Sequence, residues 1–454
     1  DMKFENINEA RFAQNLSRAI QIATVSHENE DDTDWSAFAE FHQFLRDAYP
    51  KTFSTLEVEE VGRAGLILHW KGSDASLDPI GFLAHQDVVP IAPGTENDWT
   101  NPPFSGANDG TFIWGRGALD MKSHLLCIIE AIETLLEEGY APKRDVYVCL
   151  DYNEEIVAGK DNGAKKIAAL LHERGIHFDS ILDEGGGSMD VHAKKLLDAH
   201  VTMVGVAEKG YADYEITVKG QGGHSSFPPK HTALGLLAEL ITKIENHPFE
   251  ARFTSPVLSM FSTIGSHMTS PIGTILKHPG ILKSILAKAM KGNSFTASMV
   301  QTSTAVTMAS ASPAPNVLPE SASCVINFRL LQGDTLASVQ AHLEDLAKDY
   351  DASIRLIKGK EASAVSPIDT QAFHTIDAIF AEGQENAFCT PYLLTACTDS
   401  YHYECVCENL YRFSPFSLPS ELTHTPHSTN ERFPIDQILP GVSFFMQYIR
   451  RMDA

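Results

Sequence analysis

The chain has 454 residues, of which 43% are hydrophobic and 21% are charged, an ordinary globular composition with room for two or three domains. Its 59 acidic residues outnumber its 35 lysines and arginines, and the net charge of -24 disfavours nucleic acid and anionic membranes as partners. No apolar run reaches the ~18 residues of a membrane-spanning helix. Seven cysteines, an odd number, favour reduced thiols and a cytoplasmic location, and a removed N-terminal leader stays open as an alternative.

The first 200 residues alternate between helical and strand patterns. In chain order they predict helices at 8–22 and 35–49, strands at 66–70 and 79–84, a helix at 121–138, a strand at 145–150, a helix at 164–174 and a short strand at 180–182. Alternation of strands and helices is typical of parallel sheets. We therefore predict an α/β fold with a doubly wound, mixed but mostly parallel sheet.

A different pattern begins near residue 206. It predicts strands at 211–219, 299–309, 323–330 and 352–358, with helices at 232–245 and 335–350. Apart from residues 248–298, this order is a βαββαβ, or ferredoxin-like, unit. We predict one domain from residues 1–206 and 364–454 and an inserted domain at 207–363. Residues 248–298, which include a basic amphipathic stretch, are predicted to be an extra surface insertion.

Acids and histidines collect where the predicted parallel strands end, the usual position of a ligand site in such sheets. The candidate metal ligands are His85, Asp120, Glu155, Asp183 and His427. Histidine with carboxylates suits zinc, with manganese or cobalt as substitutes. Simpler explanations exist for single members, since Asp120 could be only the N-cap of the next helix. The convergence of all five on one sheet edge favours the metal site.

Two further acids accompany the ligands. Glu154 adjoins Glu155, and one carboxylate of such a pair can bind metal while the other takes a proton from metal-activated water. A solvated pair of acids is the alternative. Asp87 lies two residues after His85, on the same face of an extended segment, where it can orient the histidine.

The chain resembles the dizinc metallopeptidases that include carboxypeptidase S, aminoacylase and glutamate carboxypeptidase. The resemblance rests on the ordered motifs AHQDVVP at 84–90, GRGALDMK at 115–122, NEE at 153–155, LDEGG at 182–186, GGHSS at 222–226, PNVLPESA at 315–322, NFRLLQGDT at 327–335, TDSYHY at 398–403 and HSTNERF at 427–433. It is greatest to the branch that includes carboxypeptidase S and the N-acyl-amino-acid hydrolases, because of the long insertion after GGHSS.

The resemblance implies two zinc ions per chain and a role for each motif. His85 and Asp183 would bind one ion, Glu155 and His427 the other, and Asp120 would bridge them. Glu154 would be the general base, and Asp87 would orient a ligand histidine. In this group the inserted domain acts as a lid and dimerisation domain, so a homodimer is expected. Its histidine, here His224, stabilises the tetrahedral intermediate and often comes from the partner subunit; Asn316 and Arg329 would bind substrate.

Several alternatives stay open in the sequence. Either Asp183 or Glu184 of LDEGG could reach the metal, with Asp183 preferred as the last strand residue. The group usually has arginine where this chain has Tyr401. Arg329 could form a structural ion pair instead of binding a substrate carboxylate. We expect a zinc-dependent amidohydrolase that cleaves the amide bond of a peptide or N-acyl amino acid with a free C-terminal carboxylate, of the carboxypeptidase or dipeptidase type. The alternatives are an N-acyl-amino-acid hydrolase of the aminoacylase type and a binding protein with an inactive site.

Overall fold

Two sheets organise the chain in the computed structural model, which describes residues 4–269, 271–281 and 283–454. The helices are α1 Glu9–Gln21, α2 Trp35–Ala48, α3 Pro50–Thr55, α4 Lys122–Glu137, α5 Gly163–Glu173, α6 Ala233–Glu245, α7 Ser255–Ser266, α8 Ile272–Lys277, α9 Lys283–Met290, α10 Ser294–Ser298, α11 Leu336–Ala347, α12 Gln371–Gly383 and α13 Ile438–Met452. The strands are β1 Glu57–Val61, β2 Gly65–Trp70, β3 Ile80–His85, β4 Phe112–Trp114, β5 Val146–Asp151, β6 Ser180–Ala193, β7 Leu197–Glu208, β8 Gly210–Lys219, β9 Gly223–His224, β10 Ser303–Ser310, β11 Val317–Leu318, β12 Ser321–Leu330, β13 Ala352–Lys360, β14 Ala387–Leu394, β15 Leu410–Ser417 and β16 Arg432–Pro434.

The larger sheet has eight strands in the order β1-β2-β5-β3-β6-β15-β7-β14. Its centre is parallel, because β5, β3, β6 and β15 all run in one direction. Every residue of β3 and β5 is buried, since α4 and α13 cover one face of the sheet and α5 covers the other. The predicted doubly wound, mixed α/β sheet is confirmed.

One strand of this sheet is much longer than the sequence predicts. The short strand predicted at 180–182 is the start of β6, which continues to Ala193 and pairs antiparallel with β7. Three consecutive glycines, Gly185 to Gly187, hide the apolar pattern of its middle. The prediction of a short strand was therefore wrong, and the error affects which acid faces the metal centre.

The smaller sheet follows directly, since β8 begins two residues after the end of β7. Its order is β10-β12-β8-β13, all antiparallel, and α6 and α11 pack on one face of it. Alternate residues of β8 and β12 are buried, as expected for a sheet with one covered face. The predicted βαββαβ order is present, with its own apolar core.

The residues between α6 and β10 are more than a surface insertion. Helix α7 packs on the edge strand β14 of the larger sheet, where Ile264 contacts the core and the ring of His267 stacks on Phe388 at 3.7 Å. Covering an edge strand protects its unpaired backbone groups. No helix in the described part of the chain is long and apolar enough to cross a membrane.

Candidate metal centre

The carboxyl ends of three neighbouring parallel strands supply most of the centre. His85 ends β3, Glu154 and Glu155 follow β5, and Glu184 lies in β6. His85 is opposite Asp151 of β5, three residues before Glu154. Because β5, β3 and β6 are adjacent, their C-terminal side chains converge on one edge of the sheet.

Asp120, just before α4, joins the two histidines of the centre. Its Oδ1 lies 3.1 Å from Nε2 of His85, and its Oδ2 lies 3.0 Å from Nε2 of His427. The second histidine sits in the loop before β16 with a left-handed backbone and is also 3.0 Å from Oε2 of Glu155. One carboxylate thus presents a separate oxygen to each imidazole, which is the geometry of a bridging ligand.

The acid of β6 that faces this cluster is Glu184. Its Oε1 lies 3.1 Å from Nε2 of His85, and His85, Glu154 and Glu184 can offer ligand atoms to one ion. Asp183 points the other way, since successive residues of a strand face opposite sides. Its Oδ2 accepts a hydrogen bond of 2.9 Å from the backbone N–H of Ser400. The choice of Asp183 over Glu184 is therefore corrected: it assumed that the strand ended at Asp183.

Asp87 holds the other acids in place. It is completely buried and accepts hydrogen bonds from the backbone N–H groups of Glu154 at 3.2 Å and Glu155 at 3.1 Å. Ser26 donates its hydroxyl to the same carboxylate at 2.6 Å, and Nδ1 of His85 lies 3.3 Å from it. Asp87 thus contacts both His85 and the backbone of the Glu154–Glu155 pair, a position from which it can orient them.

Glu154 is the remaining acid at the cluster. Its Oε2 lies 3.5 Å from Nε2 of His85, the longest of the distances between this histidine and its carboxylates. The backbone bond to Asp87 holds it at the rim of the ligand set. A carboxylate in this position can exchange a proton with a small molecule that enters the centre.

The charges of the cluster call for a cation. Burial and the neighbouring Asp120 raise the pKa of Glu155 to about 8 and that of Glu184 to about 7. Hydrogen bonds with Asp120 and Glu155 raise the pKa of His427 to about 10. Buried acids whose negative charges repel one another ionise at a higher pH than usual, and a bound divalent ion offsets this repulsion. Such a cluster is therefore typical of a site for a divalent ion. Ligand atoms bound to one zinc at about 2.0–2.2 Å stand about 3.3 Å apart, close to the distances found here. The side chains fit the metal pair.

Two buried glutamates that sequence reasoning missed support the centre. Glu431, in the HSTNERF motif, accepts backbone N–H bonds from Gly117, Leu119 and Asp120 at 3.0–3.1 Å and pairs with Arg116 at 2.9 Å. It therefore fixes the loop that carries the bridging aspartate. The one feature of the sequence that could have indicated this contact is the pair of opposite charges in the GRGALDMK and HSTNERF motifs, which lie more than 300 residues apart.

The second missed acid is Glu208, the last residue of β7. It pairs with Lys360, the last residue of β13, and with Nε of Arg412 at 2.8 Å. Its carboxylate also accepts bonds from Thr398, in the loop whose Ser400 N–H binds Asp183. Glu208 thus contacts both places where the chain passes between the two sheets, at the ends of β7 and β13. It also contacts the loop that binds Asp183, next to the metal centre.

The predicted substrate-binding residues lie in the smaller sheet and its loops. Arg329, in β12, lies over the ring of Tyr211 with its guanidinium carbon 4.8 Å from the ring centre, and its Nη1 is 3.6 Å from Sγ of Cys397. No carboxylate among the described residues pairs with this guanidinium. The alternative of a structural ion pair for Arg329 is therefore not supported.

His224 lies in β9, which pairs with β11, and Asn316 is the residue immediately before β11. The Asn316 carbonyl accepts a hydrogen bond from Ser225, and Nδ1 of His224 is 2.7 Å from Oγ of Ser226. His224 is exposed. Within the described residues no hydrogen bond or ion pair joins it to the metal ligands, so one chain in this conformation does not bring it to the centre.

Comparison with known proteins agrees with this geometry. Residues 81–451 match the model of peptidase family M20/M25/M40. The chain is 33% identical over 461 residues to the N-fatty-acyl-amino acid synthase/hydrolase PM20D1 of Mus musculus, covering 100% of this chain and 90% of the relative. It is 33% identical over 486 residues to carboxypeptidase S of Saccharomyces cerevisiae, covering 96% and 83%. The M20 family metallo-carboxypeptidase Sso-CP2 of Sulfolobus solfataricus has the same fold, with a TM-score of 0.70 at 16% identity over 97% and 99% of the two chains.

Proposed function

We propose, since the chain belongs to peptidase family M20/M25/M40, that its metal centre holds two zinc ions and cleaves the amide bond of a peptide or N-acyl amino acid with a free carboxylate. Metal-dependent amide hydrolysis follows from the family and from relatives that span nearly the whole chain. The bridging position of Asp120 between His85 and His427 supports the count of two. One ion would be held by His85, Asp120 and Glu184, the other by Asp120, Glu155 and His427.

The protein's own acids carry the proton transfers. When bound, the metal ions lower the pKa of water to around 7 and so supply a nucleophile at neutral pH. Glu154 takes the proton of the attacking water and passes it to the leaving nitrogen. Asp87 keeps Glu154 at this position through the backbone bond of 3.2 Å.

Arg329 is proposed to bind the substrate carboxylate. Lys360 and Arg412 are both paired with Glu208, and Lys209 donates to two backbone carbonyls. Arg329 differs from these three cations because no described carboxylate or backbone carbonyl accepts from its guanidinium. A guanidinium can bind a carboxylate through two parallel hydrogen bonds. One relative is named as a carboxypeptidase and another as an N-fatty-acyl-amino acid synthase/hydrolase. A peptide C-terminus and an N-acyl amino acid both carry a free carboxylate.

His224 lies away from the metal centre of its own chain, and a second subunit would allow it to reach such a centre. We propose a homodimer in which the ladder of β9 and β11 from one protomer faces the metal centre of its partner. A mixture of the inactive variants His224→Ala and Glu154→Gln should then recover activity, because one mixed site holds both native residues. Lack of recovery after subunit exchange, or an active monomer in sedimentation at micromolar concentration, would contradict the dimer.

Metal content and activity of two matched glutamate variants test the proposal. Glu154→Gln should bind two zinc ions per chain and lose about 10²–10⁴-fold in kcat, the usual contribution of a general base. Glu155→Gln, the control at the next position, should lose zinc as well as activity. Full activity of Glu154→Gln would exclude it as the base. Less than one zinc per chain in the purified wild type would contradict the two-ion centre.

A further inference from the structure

A pocket of about 880 Å³ opens beside the metal centre, and its use is not accounted for by the hydrolytic residues. Asp120 and Glu184 lie at one end of it with Leu119, and the rest is lined by residues of β6, of β15 and of the chain that follows β15. Pockets of roughly 300–1,000 Å³ are large enough for drug-sized molecules. A substrate group attached to the scissile carbonyl can therefore extend from the metal centre into this space.

The pocket exists because two neighbouring strands separate. Phe413 of β15 pairs with Gly186 of β6, but the next pair is Ser417 with Ser188. Three residues of β15 thus stand opposite the single residue Gly187, and β15 bulges away from β6. On the pocket side, a Cβ at Gly187 would lie 3.2 Å from the carbonyl oxygen of Phe416, and on the opposite side a Cβ at Gly186 would lie 2.2 Å from the carbonyl oxygen of Met203. The glycine run keeps this wall bare.

The lining of the pocket selects a neutral, largely apolar group. Its apolar side chains are Leu119, Met189, Phe416, Leu418, Pro419 and Pro426, and serine and threonine hydroxyls supply most of the remaining polarity. Among the residues that the structure describes, no lysine, arginine or histidine lines it. Its acids away from the metal centre are limited to Asp190, whose Oδ1 is 2.8 Å from Nδ1 of His200.

We propose that this pocket holds the acyl chain of an N-acyl amino acid, so that the enzyme prefers medium or long aliphatic acyl groups to aminoacyl groups. The assignment rests on the proposed amidohydrolase function. A substrate carboxylate is repelled by the acids of the pocket and belongs at Arg329, on the smaller sheet. In the described lining of the pocket, a charged α-ammonium group finds no unpaired acid beyond the metal ligands. Each methylene of an acyl chain, by contrast, gains free energy when it leaves water.

A chain-length series on the zinc-loaded full-length enzyme tests the pocket. N-acetyl, N-butanoyl, N-octanoyl and N-dodecanoyl phenylalanine share one amino acid and differ in the acyl chain. We expect kcat/KM to rise by up to about fourfold for each added methylene until the pocket is full, the ratio that corresponds to burying one CH₂. The dipeptide Ala-Phe should be a poorer substrate than the octanoyl compound.

Variants of the pocket wall locate the effect. Met189, on β6, is 50% exposed, and Met189→Trp should obstruct the pocket without disturbing the core. Leu418→Asp places a charge where the chain would lie. Each should lower kcat/KM for the octanoyl substrate by about tenfold or more and change that for the acetyl substrate less than twofold. The matched control Met308→Trp, at a 65% exposed methionine of the smaller sheet, should change neither.

Binding to the inactive Glu154→Gln protein separates the pocket from catalysis. Calorimetry with the same acyl series should show affinity that increases with chain length and a heat-capacity change that becomes more negative. Hydrolysis of all substrates with no dependence on chain length would overturn the pocket assignment and leave the proposed function intact. Chain-length-dependent binding without any hydrolysis by the zinc-loaded wild type would support the pocket and refute the proposed function. Absence of both would refute both.

Discussion

Replacing Glu208 by glutamine should destabilise the protein by about 3 kcal/mol. Glu208 and Arg412 are completely buried, and the Lys360 side chain is 7% exposed. Burial alone would raise the pKa of Glu208, but Lys360 and Arg412 outweigh it and lower the pKa from 4.5 to about 2. At about 1.4 kcal/mol per pKa unit, the ionised form is stabilised by about 3 kcal/mol. This agrees with the roughly 3–5 kcal/mol lost when a buried ion pair loses one partner.

The assay is urea unfolding of the zinc-loaded protein at pH 7, followed by tryptophan fluorescence. We expect the midpoint of Glu208→Gln to fall by about 1 M or more. The control is Glu215→Gln, because Glu215 forms a 2.9 Å ion pair with Arg355 on the exposed side of the smaller sheet. That pair should contribute less than about 1 kcal/mol. Adding Lys360→Met to Glu208→Gln should recover part of the loss, since it removes one unpaired buried cation.

The pH dependence has a definite sign. Because the pKa of Glu208 is lower in the folded than in the unfolded protein, its contribution is present above pH 4.5 and disappears as the pH falls from 4.5 to about 2. The difference in stability between wild type and Glu208→Gln should close over the same interval. A midpoint for Glu208→Gln that equals that of Glu215→Gln at pH 7 would refute this account of the buried network.

Three further predictions concern other parts of the chain. Glu184→Gln should lower the zinc content measured by atomic emission, whereas Asp183→Asn should keep both ions; the opposite result would restore Asp183 as the ligand. Arg329→Ala should lower kcat/KM about 10–100-fold for substrates with a free carboxylate and leave their amidated analogues unaffected, since a charged hydrogen bond contributes about 1.5–3 kcal/mol. Burial lowers the pKa of His124 from 6.5 to about 3, so neutral His124 is favoured in the fold and its contribution is lost as the pH falls from 6.5 to about 3. His124→Leu should therefore show a smaller fall in urea midpoint than wild type across this interval, and parallel curves would contradict that expectation.

The sequence predicted the side chains that meet at the centre because parallel strands end at one edge. His85, Glu154 and Glu155 follow buried apolar runs, and a period of two brings Asp87 to the side of His85. In the structure these residues meet Asp120, although they lie on different strands and on the loops that follow them. The fold class is confirmed for the same reason, since strands covered on both faces leave a continuous apolar signature.

Other features of the metal centre depend on contacts between distant parts of the chain, which no local sequence pattern indicates. The choice between Asp183 and Glu184 required the true length of β6, which the glycine run concealed. Glu431 binds backbone groups more than 300 residues away, and Glu208 needed the positions of both Lys360 and Arg412. The cytoplasmic location and the substrate class stay predictions. The location depends on how the cell sorts the chain, and the substrate class depends on the shape of a pocket that the sequence does not specify.

The alternation along β6 places two neighbouring acids in contact with two different parts of the molecule. Glu184 faces the metal centre, and Asp183, one residue earlier, faces the Thr398–Ser400 loop, which is bound to Glu208. Glu208 in turn pairs with Lys360, and these two residues end the strands by which the chain passes to and from the smaller sheet. A continuous set of hydrogen bonds and ion pairs therefore joins the ends of β7 and β13 to the strand that carries Glu184. The buried ion pairs thus hold both crossings between the two sheets beside the strand that carries the acid of the metal centre.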